Sequence, residues 1–206
     1  MGEQSRSLKS RGYTMRARQE SIEQTRLRIT EATMRLHERI GPAATTVSAI
    51  AEEAGVTRLT VYRHFPDDAT LVIACSGHWR ALFPRPDTTR WATIGDPVER
   101  LRAALSETYA WSQTAAPMMT KIYRDLDTMP AFVGEFLAAD EQSRVSTLAK
   151  GFRARGRSTR RLHAALRHAM HIQTWQSLCI DGALDNDEAV ELMVAAVLAA
   201  VPARDG

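Results

Sequence analysis

The sequence lacks most of the features that enzymes, secreted domains and membrane proteins depend on. It has only two cysteines among 206 residues, Cys75 and Cys179, which lie far apart in apolar helical patterns. We therefore expect buried thiols rather than a disulfide or a metal site. No run approaches the roughly 18 apolar residues of a membrane span, and the first residues lack the apolar core of a signal peptide. These absences predict a cytoplasmic protein without a membrane partner.

Recognisable catalytic motifs are missing as well. The sequence contains no HExxH, no glycine-rich phosphate loop and no GxSxG. His163, His168 and His171 follow one another at spacings of five and three, which differ from the i, i+4 pair of a metalloprotease helix. We interpret them as hydrogen-bonded histidines of a core or an interface, with metal binding as the alternative. The sequence thus predicts no enzyme, no metal and no cofactor.

Charge is nearly balanced overall but is unevenly distributed. Residues 1–65 hold 11 Lys and Arg against 7 Asp and Glu, whereas residues 66–206 hold 16 against 17. A basic N-terminal portion suits contact with phosphates. Within it, residues 1–20 are polar and poor in apolar side chains, which predicts a flexible basic arm. Such an arm either reaches DNA phosphates or a minor groove, or serves only solubility.

The segment Thr45–Phe65 predicts two short helices joined by a tight turn. Thr46 is placed to cap the first helix, and Thr57 to cap the second. Gly55, between them, tolerates the positive φ that a sharp change of direction demands. An apolar face at helical spacing on the first helix consists of Val47, Ile50, Ala51 and Ala54.

The second of these helices directs a polar surface outward. Val61 and Phe65 face inward at helical spacing, which leaves the remaining positions at or near the outside. Those positions hold Arg58, Leu59, Thr60, Tyr62, Arg63 and His64. Arginine, hydroxyl and imidazole groups donate to phosphates and base edges, and an exposed leucine suits a thymine methyl group. An ordinary helical hairpin is the alternative, but this surface favours a helix that enters the major groove of DNA.

From Arg28 to Leu71 the sequence resembles the N-terminal domain of the TetR family of bacterial transcriptional regulators. The resemblance rests on an Ile and an Ala in the first helix, on Gly41 ahead of a threonine, and on Thr-Val-x-x-Ile-Ala-x-x-Ala-Gly-Val followed by Val-Tyr-Arg-His-Phe. It implies an all-α fold in which a three-helix helix-turn-helix domain binds DNA. A larger C-terminal helical domain would bind a small ligand and dimerise.

The resemblance also implies a division of the chain. We expect a flexible basic arm at 1–20, the helix-turn-helix domain at 21–66, and the effector-binding and dimerisation domain at 67–206. The first helix is expected from near Ser21 to Arg39, and a linker helix from near Asp67 to Phe83. The chain departs from the family at Asp68, where the family usually has a lysine that meets a DNA phosphate. A carboxylate at this position repels the DNA backbone.

The middle third is rich in Trp, Tyr, Met and Phe, and the resemblance implies an effector pocket there. After a loop at Pro84–Pro97, Pro117 and Pro130 are expected to break helices among bulky side chains and so leave room for a cavity. An ordinary core is the alternative. We expect the effector to be small and largely hydrophobic or aromatic. The expected lining residues are Trp111, Met118, Met119, Tyr123, Phe132, Phe136 and Trp175.

The last two helices, expected at 159–181 and 187–201, have more apolar surface than one subunit needs. In the resembled family the corresponding pair packs against a second copy, so we expect a homodimer. Burial within the subunit is the alternative. A two-fold protein also matches two half-sites of DNA.

These observations lead to one hypothesis and one alternative. The hypothesis is a sequence-specific transcriptional regulator, a repressor that a small hydrophobic ligand releases from a palindromic operator. Arg58 would read a guanine and Leu59 a thymine methyl group, and the phosphate contacts would come from Thr46, Thr60, Tyr62, Arg63 and His64. The alternative is a helical ligand-binding protein whose DNA-binding head is weakened, as Asp68 suggests.

Overall fold

The computed structural model describes the backbone of residues 2–201 and the side chains of residues 15–201. Every regular element in this range is helical, as expected. A 3₁₀ turn lies at Leu126–Thr128, and a π-helical turn at Gln176–Asp181. The α-helices are α1 (Gly2–Arg39), α2 (Val47–Ala54), α3 (Arg58–His64), α4 (Asp68–Leu82), α5 (Thr88–Ala92), α6 (Pro97–Arg124), α7 (Ala131–Ala149), α8 (Arg157–Ala169), α9 (Ile172–Trp175) and α10 (Asn186–Ala199).

The first helix is longer than the sequence suggested. α1 begins at Gly2 rather than near Ser21, so residues 2–20, expected as an arm ahead of the first helix, have helical backbone. This stretch has no proline, and most of its positions hold good helix formers such as Arg, Lys, Gln, Glu and Ala. Low apolar content argued for disorder, but helix propensity does not depend on apolar content.

The chain divides into two compact units between Trp79 and Arg80. The division falls later than the boundary expected at 66, because the first part of α4 belongs to the N-terminal unit. Cys75 of α4 places its Sγ 3.9 Å from Nδ1 of His37 on α1. Burial raises the pKa of the Cys75 thiol to about 12, so this thiol is inert at neutral pH. The core of the unit consists of Ile29, Ala32, Leu36, Ile50, Ala51, Ala54, Val61, Phe65 and Leu71.

The C-terminal unit is built around α6, which packs against α5, α7, α9 and α10. Leu101, Leu105 and Tyr109 of α6 have no exposed surface. The hydroxyl of Tyr109 donates to the carbonyl oxygen of Ala169 at 3.0 Å, so this polar group is satisfied inside the core. None of the helices in the described range has a stretch that is long and apolar enough to cross a membrane.

One expected loop and one expected helix break in this unit differ from the structure, whereas Pro130 does precede a new helix, α7. The expected loop at Pro84–Pro97 contains α5, whose first turn is capped by Asp87, since Thr89 N–H donates to Asp87 Oδ1 at 2.9 Å. α6 runs through Pro117 without interruption. Pro117 and Gln113 both lie on the exposed side of α6, where solvent can satisfy the carbonyl that a proline leaves unbonded.

The helix expected at 159–181 is instead divided in two. α8 ends at Ala169, and His171 caps α9 in an extended conformation, with its Nδ1 accepting from Gln173 N–H at 3.3 Å. The interpretation of His171 as a hydrogen-bonded histidine is therefore confirmed. Cys179, expected to be buried, is partly exposed, with its Sγ 3.6 Å from Oδ1 of Asn186. Among residues with described side chains, no three His, Cys, Asp or Glu gather at a possible metal site.

Candidate nucleic-acid interface

The turn between α2 and α3 has the geometry that its sequence predicts. Thr46 caps α2, because the N–H of Ala49 donates to its Oγ1 at 3.2 Å. Gly55 has φ +64° and ψ +41°, the left-handed conformation that a residue with a Cβ rarely adopts. Its own N–H and that of Val56 donate to the carbonyls of Glu52 and Ala51, at 3.1 and 2.9 Å. These two bonds close the end of α2 and fix the direction of the chain entering α3.

The start of α3 is held by a threonine pair. The N–H of Thr60 donates to Thr57 Oγ1 at 3.2 Å, and the two hydroxyl oxygens lie 3.0 Å apart. Val61 and Phe65, on the inner side of α3, are only 1% and 2% exposed. The buried side chains of Val61 and Phe65, together with the threonine cap, therefore fix the rotation of this short helix about its own axis.

The opposite side of α3 is open. Leu59 is 77% exposed and Tyr62 46% exposed, and Arg58 and Arg63 are exposed beside them. A leucine with this much exposed surface gains nothing from packing within its own unit. Of the other predicted contacts, Thr46 is exposed, while Thr60 and His64 are partly buried. Because the Thr60 hydroxyl bonds to that of Thr57 within the cap, it is less available to a DNA phosphate than the sequence suggested.

Arg26 of α1 is a contributor to this surface that the sequence reasoning missed. Its Nη1 donates to the carbonyl oxygen of His64 at 2.8 Å, and its guanidinium carbon lies 4.3 Å from the centre of the Phe65 ring. Arg26 therefore ties the last turn of α3 to α1. Its spacing of three and seven from buried Ile29 and Thr33 placed it on the inner face of α1, which was the signal available in the sequence.

The surroundings of His64 favour the neutral form of its imidazole. Burial is the main cause that lowers its pKa, and the charges of Arg63 and Arg26 add to the effect. A neutral imidazole at this position donates one hydrogen bond to a phosphate but adds no charge. The positive charge at this end of α3 comes from the two arginines.

Asp67 and Asp68 differ in what they do at the start of α4. Thr70 N–H donates to Asp67 Oδ1 at 2.7 Å, so Asp67 caps the helix. Asp68 is exposed in the first turn. Its carboxylate suits the positive end of the helix dipole, but it adds negative charge close to the recognition helix.

The residues predicted to line an effector pocket differ in their burial and in their partners. Trp111 and Tyr123 are half-buried near Arg85, whose guanidinium carbon lies 5.2 Å from the Trp111 ring. Met118 and Met119 belong to the buried core of α6. Trp175 is buried and donates from Nε1 to Asn186 Oδ1 at 3.0 Å.

The two predicted phenylalanines lie on α7. Phe132 is partly buried, whereas Phe136 is 45% exposed, with the Arg80 guanidinium 5.0 Å from its ring centre. An open cleft of about 600 Å³ lies elsewhere in the C-terminal unit, lined by residues of α7 to α10 that include Glu141, His171 and Met193. Charged and polar side chains contribute to the lining of the cleft, but most of its surface is apolar.

Comparison with known proteins places this geometry in a family. Residues 29–75 match the family model described as bacterial regulatory proteins, tetR family. The chain is 30% identical over 95 residues to the HTH-type transcriptional regulator BetI of Paraburkholderia xenovorans (strain LB400), in a match covering 46% of this chain and 49% of BetI. The chain thus spans about half the length of this curated relative.

Solved structures share the fold over most of the chain. A TetR-like transcriptional regulator from Rhodococcus sp. RHA1 is similar with a TM-score of 0.61 and 17% identity, covering 84% of this chain and 93% of that one. AibR, solved in complex with isovaleryl coenzyme A and operator DNA, is similar with a TM-score of 0.60 and 21% identity, covering 84% and 97%. At these identities the likeness shows a common fold.

Thr46 caps α2, Gly55 forms the turn, and α3 is buried on one side and exposed on the other. These features define a helix-turn-helix protein. The match of residues 29–75 agrees with the resemblance seen in the sequence. The chain carries a domain of the tetR family of bacterial regulatory proteins, and it is similar to regulators of that family.

Proposed function

We propose that this protein is a homodimeric transcriptional repressor that binds a palindromic operator and leaves it when a small ligand occupies the C-terminal unit. The observation that carries the proposal is the exposed side of α3, where two arginines and a tyrosine surround a leucine that is 77% exposed. Such a protein acts on chromosomal DNA, which places it in the cytoplasm. It is a regulator rather than an enzyme.

The exposed apolar surface of α10 supports the proposed homodimer. Leu192 and Leu198 are 47% and 39% exposed, and Ile180 in the preceding π-helical turn is 60% exposed. Ala195, Ala196 and Ala199 are exposed on the same helix and allow close approach of another helix. A dimer formed through α10 would bury this apolar surface and supply one recognition helix for each operator half-site.

Release by a ligand requires a connection from the C-terminal unit to α3. α4 extends from Asp68, four residues after the end of α3, to Leu82, beyond the division of the two units. AibR, which shares the fold, was solved with both isovaleryl coenzyme A and operator DNA. We infer that ligand binding shifts α4 and so changes the spacing of the two recognition helices. Linkage then requires that operator DNA weaken ligand binding by the same factor.

Selection of binding sites from random duplex DNA tests the proposal, with affinity measured at two salt concentrations. A palindromic consensus supports the dimeric regulator. Binding that is weak, salt-sensitive and indifferent to sequence contradicts it and favours the alternative, a ligand-binding protein with a weakened DNA-binding head. A selected consensus that binds tightly but has no two-fold symmetry would contradict the proposed dimer.

Arg58→Ala is expected to reduce affinity for the selected operator by roughly 1–3 kcal/mol per subunit and to relax the preference at one base pair of each half-site. Arginine bonds to guanine through two parallel donors, so its loss removes both affinity and selectivity. Affinities for the operator and for all single base-pair variants would measure both effects. Arg63→Ala is the matched control on the same helix, and it should weaken binding to every sequence alike. An Arg58→Ala protein with unchanged base preference would make Arg58 a phosphate contact.

Asp68→Lys is expected to increase operator affinity and to steepen its dependence on salt by about one counterion per subunit. The change replaces an exposed negative charge near α3 with a positive one. A salt titration of operator binding would measure the slope. Asp127→Lys, an exposed site in the 3₁₀ turn of the C-terminal unit, makes the same change of net charge and should have a smaller effect. Equal effects of the two substitutions would show that Asp68 lies away from the DNA backbone.

A further inference from the structure

The C-terminal unit contains two partly buried arginines that share one carboxylate. Arg85, between α4 and α5, donates to Oδ2 of Asp140 on α7. Arg144, one turn after Asp140, forms an ion pair with the same oxygen, its Nη2 lying 3.0 Å away. The side chains of Arg85, Arg144 and Asp140 are 18%, 13% and 24% exposed. Water therefore screens this trio only in part.

The trio is incompletely bonded. The Nε atoms of Arg85 and Arg144 are both buried, and among the residues that the structure describes neither has an acceptor within hydrogen-bond distance. A charged donor that is removed from water and left unbonded is costly, and a folded protein rarely keeps two of them in one place. The protein itself provides no acceptor for either donor within its described residues.

The charges around the trio leave an excess of one positive unit. Glu141 is paired with Arg167, whose Nε lies 2.9 Å from its Oε2. Burial is the main cause that lowers the pKa of His171, so this neighbour is neutral at pH 7. The charges that remain are those of Arg85, Arg144 and Asp140, which sum to +1. A ligand with a single negative charge would therefore neutralise the site.

Aromatic groups border the same place. The guanidinium carbon of Arg85 lies 5.2 Å from the centre of the Trp111 ring. Tyr123 is close enough to Arg85 and Arg144 for their charges to act on its pKa, and its ring centre lies 4.7 Å from that of His171. A ligand held by the arginines would therefore meet flat apolar surface beside its charged group.

We propose that Arg85 and Arg144 bind the carboxylate of a small organic acid, whose aromatic or aliphatic body lies against Trp111 and Tyr123. The inference rests on the proposed function, since it names the chemical class of the effector. It replaces a purely hydrophobic ligand with a singly charged one. A phosphate dianion fits less well, because it would leave the site with a net negative charge.

Calorimetry on the full-length protein tests the site with a panel of monocarboxylates, namely benzoate, phenylacetate and the straight-chain acids from butanoate to decanoate. Their uncharged amides and inorganic phosphate serve as comparisons. We expect at least one acid to bind, with its amide weaker by about ten- to a hundredfold, because the amide lacks the charge that strengthens a hydrogen bond to guanidinium. Equal binding of acids and amides, tighter binding of phosphate, or no binding by any acid would overturn the proposal.

Three variants assign the binding to these side chains. Arg144→Gln should weaken the acid by about tenfold or more, whereas Asp140→Asn should preserve or increase its affinity because the site becomes more positive. Arg102→Gln is the matched control, since Arg102 is already paired through Nε with Glu191 at 2.6 Å. Circular dichroism checks that each variant is folded. If Arg144→Gln is unfolded, Asp140→Asn decides alone, and a loss of acid binding in that folded variant contradicts the proposal.

Operator binding, measured in the same preparations, separates this inference from the proposed function. A protein that selects a palindrome but binds no acid remains a regulator without this effector site. A protein that binds the acid through Arg144 but selects no operator has the site without the regulatory role. Acid that weakens operator binding in the parent protein, but not in Arg144→Gln, supports both.

Discussion

Phe65→Ala is expected to abolish operator binding by unfolding the N-terminal unit. Phe65 is 2% exposed and closes the core formed by α1 to α4. Its ring also carries the Arg26 guanidinium, 4.3 Å away, which bonds the end of α3 to α1. Removing a buried phenylalanine ring costs about 3–5 kcal/mol. A small domain has about 5–15 kcal/mol of total stability, so much of it would be lost.

Urea unfolding followed by circular dichroism would measure this loss, and gel-shift titration would measure operator binding. Leu59→Ala is the matched control, because it truncates an apolar side chain on the same helix that is 77% exposed. That variant should keep its stability but bind the operator with less preference for thymine at one position. Normal operator binding by Phe65→Ala would contradict this prediction, because it would show that α3 is positioned without the buried Phe65 ring.

The helix-turn-helix could be read from the sequence because its signals are local. Thr46 and Thr57 each cap a helix within three residues of themselves, and Gly55 supplies the turn between them. Val61 and Phe65 lie four residues apart, so their shared inner face follows from helix geometry alone. Interactions of this kind need no knowledge of the rest of the fold, and the structure reproduces them closely.

The predictions that proved wrong depended on distant parts of the chain. Pro117 looked like a helix break, but its position on the exposed side of α6 is set by what the other side packs against. The helix expected at 159–181 ends early, because His171 caps a new helix where no glycine or proline marks a break. The Arg85–Asp140 pair joins residues 55 positions apart in sequence, a contact that no local spacing could reveal.

The fold changes the chemical class of effector that the C-terminal unit is expected to bind. The sequence offered aromatic and methionine side chains, whose spacing is the same for a core and for a pocket, so it favoured a hydrophobic ligand. Met118 and Met119 are in fact core residues, each no more than 5% exposed. Two arginines with unbonded Nε atoms became visible only once the chain was folded, and they point to an acidic ligand.

Asp140→Ala is expected to destabilise the C-terminal unit by about 3 kcal/mol. Removing one partner of a buried ion pair leaves the other charge unpaired, which commonly costs about 3–5 kcal/mol. Here two arginines lose their shared acceptor at once, but the Asp140 side chain is 24% exposed, which moderates the loss. The Nη atoms freed by the change would join Nε atoms that already lack partners.

Thermal unfolding and urea titration of the purified variant would measure the change. Glu191→Ala is the comparison, because it removes a carboxylate that also bonds an arginine, Arg102, but with 57% of its side chain exposed. Solvent replaces the lost partner there, so stability should hardly change. Adding a bound carboxylic acid should restore part of the stability lost in Asp140→Ala, since its charge would face the same two guanidinium groups. Two variants of equal stability would show that Arg85 and Arg144 are solvated in solution, and a binding site for a carboxylate would then have no electrostatic basis.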